Sequence, residues 1–224
     1  MTKLYFIRHG KTKWNLERRY QGAKGDSELL PSSFVEIKEL ASFLSENSFK
    51  RIYTSPLRRA RITGRTLQHE LEVIQGYPTP ISVESRLREF NLGLMEGMKF
   101  VDTERIYTRE VDAFRNHPDQ YDPSDIHGES FQQLIERMRP VIQRIVERYP
   151  FKEDKIIIVS HGAALNALIN SLLGIDLKDL RKRGGLANTS TTILETTDKG
   201  KSYTLIDWND TSYLHKRLDA SDLI

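Results

Sequence analysis

Two histidines stand in closely similar settings, far apart along the chain. His9 lies between Arg8 and Gly10, and His161 precedes Gly162; each histidine comes soon after a short apolar run. Glycine allows a ligand to approach the backbone closely, and the guanidinium of Arg8 is a planar fork of donors suited to phosphate. A helix beginning after His161 would add its positive N-terminal end. The two segments therefore predict an anion site that contains two imidazoles.

Imidazoles among cationic donors are suited to phosphoryl transfer. This chemistry needs a neutral imidazole in line with the leaving oxygen, cations that neutralise the phosphoryl oxygens, and an acid that protonates the leaving alkoxide. His9 is the candidate nucleophile, while Arg8, His161 and a further arginine are the candidate donors. Arg58 and Arg59 both lie off the apolar stripe of one predicted helix, so periodicity alone does not choose between them.

The segments before the two histidines must be strands if such a site is to form. Leu4–Ile7 and Lys155–Val159 are continuous apolar runs, which is typical of buried parallel strands. Strands and helices are predicted to alternate along the chain. Further strands are predicted at Arg51–Thr54, Ile81–Val83, Thr191–Leu194 and Tyr203–Ile206. Helices are predicted at Phe34–Leu44, from Ser55-Pro56 onward, from a capping box at Ser130–Gln133 to Tyr149, and at Ala163–Leu173. This alternation predicts an α/β fold, a three-layer α/β/α sandwich with a mostly parallel central sheet. Because ligands bind beyond the carboxyl ends of such strands, His9 and His161 should lie at one edge of the sheet.

Composition excludes several other classes of protein. The 224 residues contain no cysteine, which excludes disulfides, cysteine-ligated metals and a cysteine nucleophile. A formal net charge of +3 with 29% charged residues is a weak basis for nucleic-acid binding. No apolar run approaches the ~20 residues that cross a bilayer, and Leu4–Ile7 is shorter than the roughly 7–15 residues of a signal-peptide core. We therefore expect a cytoplasmic protein that binds neither nucleic acid nor membrane.

Five motifs, in order along the chain, resemble those of the histidine phosphatase superfamily, also called phosphoglycerate-mutase-like. They are Leu4 to Asn15, Tyr20-Gln21-Gly22, Thr54 to Ala60, Leu87 to Gly93 with Glu96-Gly97, and Gly128-Glu129-Ser130 with Val159 to Gly162. Each motif is weak alone, but five in the family's order are specific. The resemblance covers almost the whole chain and implies a single domain over residues 1–224, with residues 91–128 as a lid insertion.

The resemblance also implies a role for each catalytic residue. His9 would be the phosphorylated nucleophile, and Arg8, Arg59 and His161 would form the phosphate pocket. The family's arginine immediately precedes an alanine, which selects Arg59 from the adjacent pair. Glu89 would protonate the leaving group and then activate the attacking water.

Further site residues follow from the same resemblance. Asn15, Gln21 and Gly22 would line the pocket and bind substrate. The chain departs from the family at Lys11, where Glu or Gln is usual; this lysine would either contact the phosphate pocket or point outward. No metal is expected, because the arginines beside the histidines would repel a cation.

The 91–128 segment bears on the type of reaction. It carries four basic and eight acidic side chains, a net charge of −4. An acidic lid poorly suits a small polyanion, which favours phosphomonoester hydrolysis, without a cofactor, on a small phosphorylated metabolite with a neutral or partly cationic leaving group. The aromatic side chains in or beside this segment would either stack on a substrate ring or pack the lid core: Phe90, Phe100, Tyr107, Phe114 and Tyr121.

Two alternatives stay open at the level of sequence. One is a phosphoglycerate mutase, which would need 2,3-bisphosphoglycerate as a cofactor. The other is a regulatory module that binds a phosphorylated ligand without turnover, although the complete set of catalytic residues argues against it. The oligomeric state is left open.

Overall fold

A six-stranded sheet forms the centre of the computed structural model, which describes residues 1–223. The strands are β1 (Thr2–Arg8), β2 (Arg51–Thr54), β3 (Ile81–Val83), β4 (Asp154–Ser160), β5 (Thr191–Thr196) and β6 (Thr204–Asp210). Their order across the sheet is β3-β2-β4-β1-β5-β6. The first four of these are parallel, whereas β5 and β6 pair antiparallel. This confirms the predicted α/β fold with a mostly parallel sheet.

Helices cover both faces of the sheet and complete three layers. They are α1 (Lys13–Leu16), α2 (Pro31–Leu44), α3 (Arg58–Gln75), α4 (Phe100–Ile106), α5 (Thr108–Asn116), α6 (Phe131–Arg148) and α7 (Gly162–Leu172). Side chains of β1 alternate between the layers: Leu4 and Phe6 pack in the core with α6 and α7, and Tyr5 and Ile7 pack with α2 and α3. No helix among residues 1–223 is long and apolar enough to cross a membrane.

Helix α6 starts as predicted, and helix α3 does not. The side chains of Ser130 and Gln133 form the expected reciprocal capping box at the start of α6. Helix α3 begins at Arg58 and not at Ser55-Pro56. Its first N–H groups donate instead to the Asp26 carboxylate, at 2.5 Å from Arg58 and 3.3 Å from Arg59. A cap supplied by a distant loop thus replaces the local cap that the sequence predicts.

The register between β1 and β4 places the two histidines together. Arg8 at the end of β1 is the partner of Ser160 at the end of β4. His9 and His161 therefore leave the sheet side by side, and the His9 N–H donates to the Ser160 carbonyl at 3.0 Å. Two segments separated by about 150 residues along the chain meet at the carboxyl ends of adjacent parallel strands.

The aromatic side chains near the 91–128 segment mostly pack against one another. Phe90, Phe114, Tyr121 and Phe131 are buried, and their ring centroids lie 5.0–5.7 Å apart. The packing alternative is therefore correct for the first three, whereas Phe100 is only half-buried. The single domain over 1–224 and the lid role of 91–128 stay predictions, and residue 224 lies outside the described part.

Gly93 is expected to be essential for the turn that follows Glu89. Its φ of +57° lies in the left-handed region, and a Cβ there would collide with the Ile126 carbonyl. Gly174 has a φ of +75° with open space around the same position. Both Gly→Ala variants should lose about 1–2 kcal/mol of unfolding free energy from backbone strain. Gly93→Ala should lose about 1–3 kcal/mol more from overpacking. Denaturant unfolding of both variants measures the difference, and equal losses would contradict the steric argument.

Candidate active site

His9 is held as a neutral imidazole with its lone pair on Nε2. Its Nδ1 lies 2.8 Å from the Gly10 carbonyl oxygen, which can only accept, so Nδ1 carries the proton. Its Nε2 accepts a hydrogen bond from Arg59 Nε at 3.3 Å. Burial lowers the pKa of His9 well below its ordinary value, and the charges of Arg59 and Arg8 lower it further. The ring is therefore unprotonated at Nε2 near neutral pH, as a nucleophile must be.

Arg59 lies in the site, and its neighbour Arg58 does not. The Arg59 guanidinium donates to the carbonyls of Gly25 at 2.7 Å and Gly22 at 3.0 Å. It also pairs with Asp26 at 3.3 Å, and its side chain is completely buried. The side chain of Arg58 is 63% exposed. The choice of Arg59 made from the resemblance is thus the one whose side chain reaches His9.

Arg8 is oriented by main-chain carbonyls. Its Nη1 donates to Leu186 at 2.5 Å and to Asp222 at 2.7 Å. Burial lowers the pKa of Arg8 to about 10, which leaves it charged at neutral pH. Its Nε is buried against Gly162 and makes no hydrogen bond within residues 1–223. One edge of the guanidinium is therefore anchored, while Nε keeps its donor for a ligand.

His161 lies beside His9 and adds a second buried imidazole to the site. Its Nε2 lies 2.6 Å from the Ser55 hydroxyl, and its ring centroid lies 5.2 Å from that of His9. Its buried Nδ1 has no hydrogen-bond partner in the described chain. Burial lowers the pKa of His161 well below its ordinary value, with Arg59 adding to the effect. An unpaired buried polar group costs about 1–3 kcal/mol, so the Nε–H of Arg8 suits a bound oxyanion. Nδ1 of His161 does so in the tautomer in which Nδ1 carries the proton and the Ser55 hydroxyl donates to Nε2.

Glu89 lies at the N-terminus of α7. Its carboxylate accepts from the N–H groups of Phe90 at 2.9 Å, Ala164 at 2.8 Å and Ala163 at 3.2 Å. Burial raises the pKa of Glu89, and the Phe90 N–H, Arg59 and the helix N–H groups oppose the rise. The net effect favours the protonated carboxyl more than in free glutamate. Glu89 therefore keeps its proton to higher pH than free glutamate does, as a proton donor requires.

Arg137 on α6 fixes the backbone around Glu89, and sequence analysis missed it. Its guanidinium donates to the carbonyls of Glu89 at 3.0 Å and Arg86 at 2.5 Å. It also pairs with Glu129 at 2.5 Å, with both side chains mostly buried. Glu129 therefore forms an ion pair with Arg137, whereas the N-cap of α6 is Ser130. Neither position carries a periodic signal that would have revealed the contact.

The three predicted substrate-binding residues pack around the phosphate pocket, defined as Arg8, His9, Arg59 and His161. Asn15 Oδ1 accepts from Thr12 N–H at 3.1 Å in the cap of α1. Gln21 accepts from Arg59 Nη1 at 3.2 Å when its amide oxygen faces that arginine, and Gly22 accepts from the same guanidinium. They hold the loop and Arg59 in place; direct contact with substrate stays a prediction.

Lys11 does not point outward. It is 6% exposed and pairs with Asp222 at 3.2 Å and Asp219 at 3.3 Å. Asp222 also pairs with Lys216 at 2.7 Å and is itself buried. This pairing holds residues 216–222 beside the site, where the Asp222 carbonyl accepts from Arg8. Within residues 1–223, no group of three or more histidine or acidic side chains is arranged to hold a metal ion.

Fold and site together define the class of protein. Residues 4–211 match the histidine phosphatase superfamily (branch 1), and the chain belongs to that family. It is 29% identical to phosphoglycerate mutase-like protein 4 of Arabidopsis thaliana over 216 residues, 96% of this chain and 87% of the relative. Bacillus stearothermophilus YhfR has a similar structure, with a TM-score of 0.85, 31% identity, and coverage of 95% of this chain and 99% of that chain. A mycobacterial glucosyl-3-phosphoglycerate phosphatase in complex with VO3 gives a TM-score of 0.82 at 27% identity, covering 94% and 100%.

The Lys11 pairing is expected to support Arg8. Lys11→Met leaves Asp222 with fewer cationic partners, so the carbonyl that orients Arg8 should shift. Misplacement by about 1 Å can cost about 10²-fold, and kcat/KM for p-nitrophenyl phosphate should fall by about 10-fold or more. Lys13→Met is the matched control, because Lys13 is exposed on α1. Steady-state kinetics of the two variants and the wild type measure this effect. Equal kcat/KM for Lys11→Met and the wild type would show that the pairing does not affect Arg8.

Proposed function

We propose that this protein hydrolyses phosphomonoesters through a phosphohistidine on His9, without a metal ion. The observation that carries the proposal is the neutral, buried imidazole of His9, whose Nε2 lies 3.3 Å from a guanidinium nitrogen. Arg59 and Arg8 bring positive charge to the imidazole, and the ring of His161 lies beside it, with 5.2 Å between the centroids. Such a site lowers the cost of charge on the transferred phosphoryl oxygens.

The first step transfers the phosphoryl group to His9. The Nε2 lone pair forms a P–N bond while the bond between phosphorus and the ester oxygen breaks. The proton on Nδ1 stays on the ring and is stabilised by the Gly10 carbonyl. Glu89 gives its proton to the departing alkoxide, so the alcohol leaves neutral and the carboxylate becomes charged. Three N–H donors and the positive end of α7 stabilise that carboxylate.

The second step returns the site to its starting state. A water molecule attacks the phosphorus of phosphohistidine, and Glu89 takes a proton from it as the new P–O bond forms. The P–N bond breaks, His9 recovers its lone pair, and inorganic phosphate leaves. Glu89 is then protonated again, which matches its raised pKa. One carboxyl group thus acts as acid and then as base.

Mutase activity is the second candidate, because one relative is named a phosphoglycerate mutase-like protein. Both reactions share the first step and differ in the acceptor of the phosphoryl group, which is water in one and a second alcohol in the other. The net charge of −4 on residues 91–128 favours water as the acceptor, since a mutase must retain a bisphosphorylated intermediate.

Removal of the nucleophile is expected to abolish turnover. Purified protein should hydrolyse p-nitrophenyl phosphate, and His9→Ala should lose at least about 10³-fold in kcat. The rate of the wild type should be the same with and without EDTA, because the proposed reaction uses no metal ion. His69→Ala is the matched control, since His69 is exposed on α3. Turnover that EDTA abolishes and added metal restores would contradict the mechanism. No turnover by the wild type, together with conversion of 3-phosphoglycerate to 2-phosphoglycerate, would favour the mutase.

Loss of the acid is expected to depend on the leaving group. Glu89→Gln should lower kcat/KM about 10²–10⁴-fold for an alkyl phosphate, and much less for p-nitrophenyl phosphate, whose leaving group needs little protonation. In the wild type, the alkyl-to-nitrophenyl ratio of kcat/KM should fall as pH rises through the raised pKa of Glu89, because the proton is then lost. The second ionisations of the two esters differ, so the pH dependence of the same ratio in Glu89→Gln is the reference that removes the substrates' own contribution. A ratio that is independent of pH, or equal losses for both substrates in Glu89→Gln, would exclude Glu89 as the acid.

A further inference from the structure

Glu89 lies in a stretch of chain without regular secondary structure. Residues 88–92 belong to neither a helix nor a strand, so the hydrogen bonds of a helix or a sheet do not fix the position of this side chain. A proton donor must be held close to the departing oxygen, and misplacement by about 1 Å can cost about 10²-fold in rate. The contacts that hold residues 88–92 therefore bear directly on the proposed acid.

Arg137 clamps this stretch through two carbonyl groups and one carboxylate. The carbonyls of Arg86 and Glu89 accept hydrogen bonds from its two terminal nitrogens. The carboxylate of Glu129 accepts from Nε at 2.5 Å and from Nη2 at 2.8 Å, which is a bidentate pairing. Only 12% of the Arg137 side chain is exposed. A planar guanidinium with three nitrogens engaged is fixed in one orientation, so the Glu89 carbonyl is held in one place.

Glu129 connects this clamp to both ends of the 91–128 segment. Its N–H donates to the carbonyl of Asn91, the first residue of that segment, at 2.7 Å. The Asn91 N–H donates in return to the Glu129 carboxylate at 3.3 Å. The carboxylate that orients Arg137 thus also fixes the chain just beyond Glu89, at the point where the 91–128 segment leaves the domain and returns to it.

A second contact ties the same stretch to the phosphate pocket. The Ser160 hydroxyl donates to the Leu87 carbonyl at 2.7 Å, and Ser160 directly precedes His161 in the chain. The positive charge of Arg137 is among the causes that lower the pKa of His161. The stretch around Glu89 is therefore held from two sides, by the end of β4 and by α6. The β4 contact does not involve Arg137, so the stretch should stay folded when Arg137 is changed.

Arg137 acts on the main chain of Glu89 and not on its carboxyl group. Within residues 1–223, that carboxyl accepts its hydrogen bonds from the N–H groups of Phe90, Ala163 and Ala164. These three donors remain when the arginine is removed. What changes is how firmly the main chain holds the carboxyl in front of the leaving oxygen.

We propose that Arg137 is a positioning residue for proton transfer by Glu89, with Glu129 as the partner that fixes its guanidinium. The ion pair has no contact with the reacting atoms and acts through the Glu89 main chain. Its loss should weaken proton donation and leave the attack by His9 intact. The inference rests on the proposed function and deepens it, because it names the contact that makes Glu89 effective as the acid.

The test compares two esters that differ in their need for a proton. Arg137→Gln should lower kcat/KM for an alkyl phosphate by about 10-fold or more, mostly through kcat, and much less for p-nitrophenyl phosphate. Arg137→Lys keeps the charge and loses the planar fork, so it should restore only part of the loss. Arg144→Gln is the matched control, because Arg144 is an exposed arginine of the same helix that pairs with Glu84.

A double-mutant cycle separates positioning from a general loss of structure. In the Glu89→Gln background, Arg137→Gln should cause little further loss with the alkyl phosphate, since the acid is already absent. A purely structural role would instead multiply the two losses and would affect both esters equally. Glu129→Gln weakens the same clamp from its other side, so it should show the same dependence on the leaving group even if Arg137→Gln does not fold.

The outcomes distinguish this inference from the proposed function. No hydrolysis of either ester by the wild type would overturn the proposed function itself. Wild-type turnover with the expected leaving-group dependence in Glu89→Gln, but with none in Arg137→Lys and Glu129→Gln, would overturn only the positioning role. Losses that multiply in the double variant would overturn it as well.

Discussion

The parallel pairing of β1 with β4 is the constraint on which the site depends. Register between Arg8 and Ser160 brings His9 and His161 out of the sheet together, with ring centroids 5.2 Å apart. Both strands are buried and apolar, so a slip of one residue would turn every core side chain to the opposite face. Core packing therefore holds the register of the two strands, and the register sets the distance between the two imidazoles. Catalytic geometry here is a consequence of sheet register.

Burial then sets the electrostatics of the site. The cations Arg8 and Arg59 lie among carbonyl oxygens, and desolvation keeps His9 neutral. The same desolvation raises the pKa of Glu89, so one physical effect prepares both the nucleophile and the acid. Polar atoms of Arg8 and His161 that lack a partner in the described chain mark the places for phosphoryl oxygens.

The features predicted from the residues alone are those that depend on short stretches of sequence. The apolar runs ending at His9 and His161, the alternation of strands and helices, and the cap at Ser130 all follow from short stretches of sequence. Arg59 required the family resemblance, because what separates it from Arg58 is a set of side-chain contacts with His9, Gly22 and Gly25, at least 34 residues away in the chain. The Lys11 pairing spans 208 residues to Asp219, and Arg137 resembles any helix-surface charge. Such contacts depend on tertiary packing, and no local pattern encodes them.

The most direct test of the account is to trap the phosphorylated enzyme. Protein mixed rapidly with p-nitrophenyl phosphate carrying radioactive phosphorus is quenched in alkali, in which phosphohistidine survives, and digested to locate the label. The account predicts label on the peptide containing His9, present during turnover, absent in His9→Ala, and lost when unlabelled substrate is added as a chase. Turnover that proceeds with no labelled enzyme at any time, or label on a residue other than His9, would contradict it.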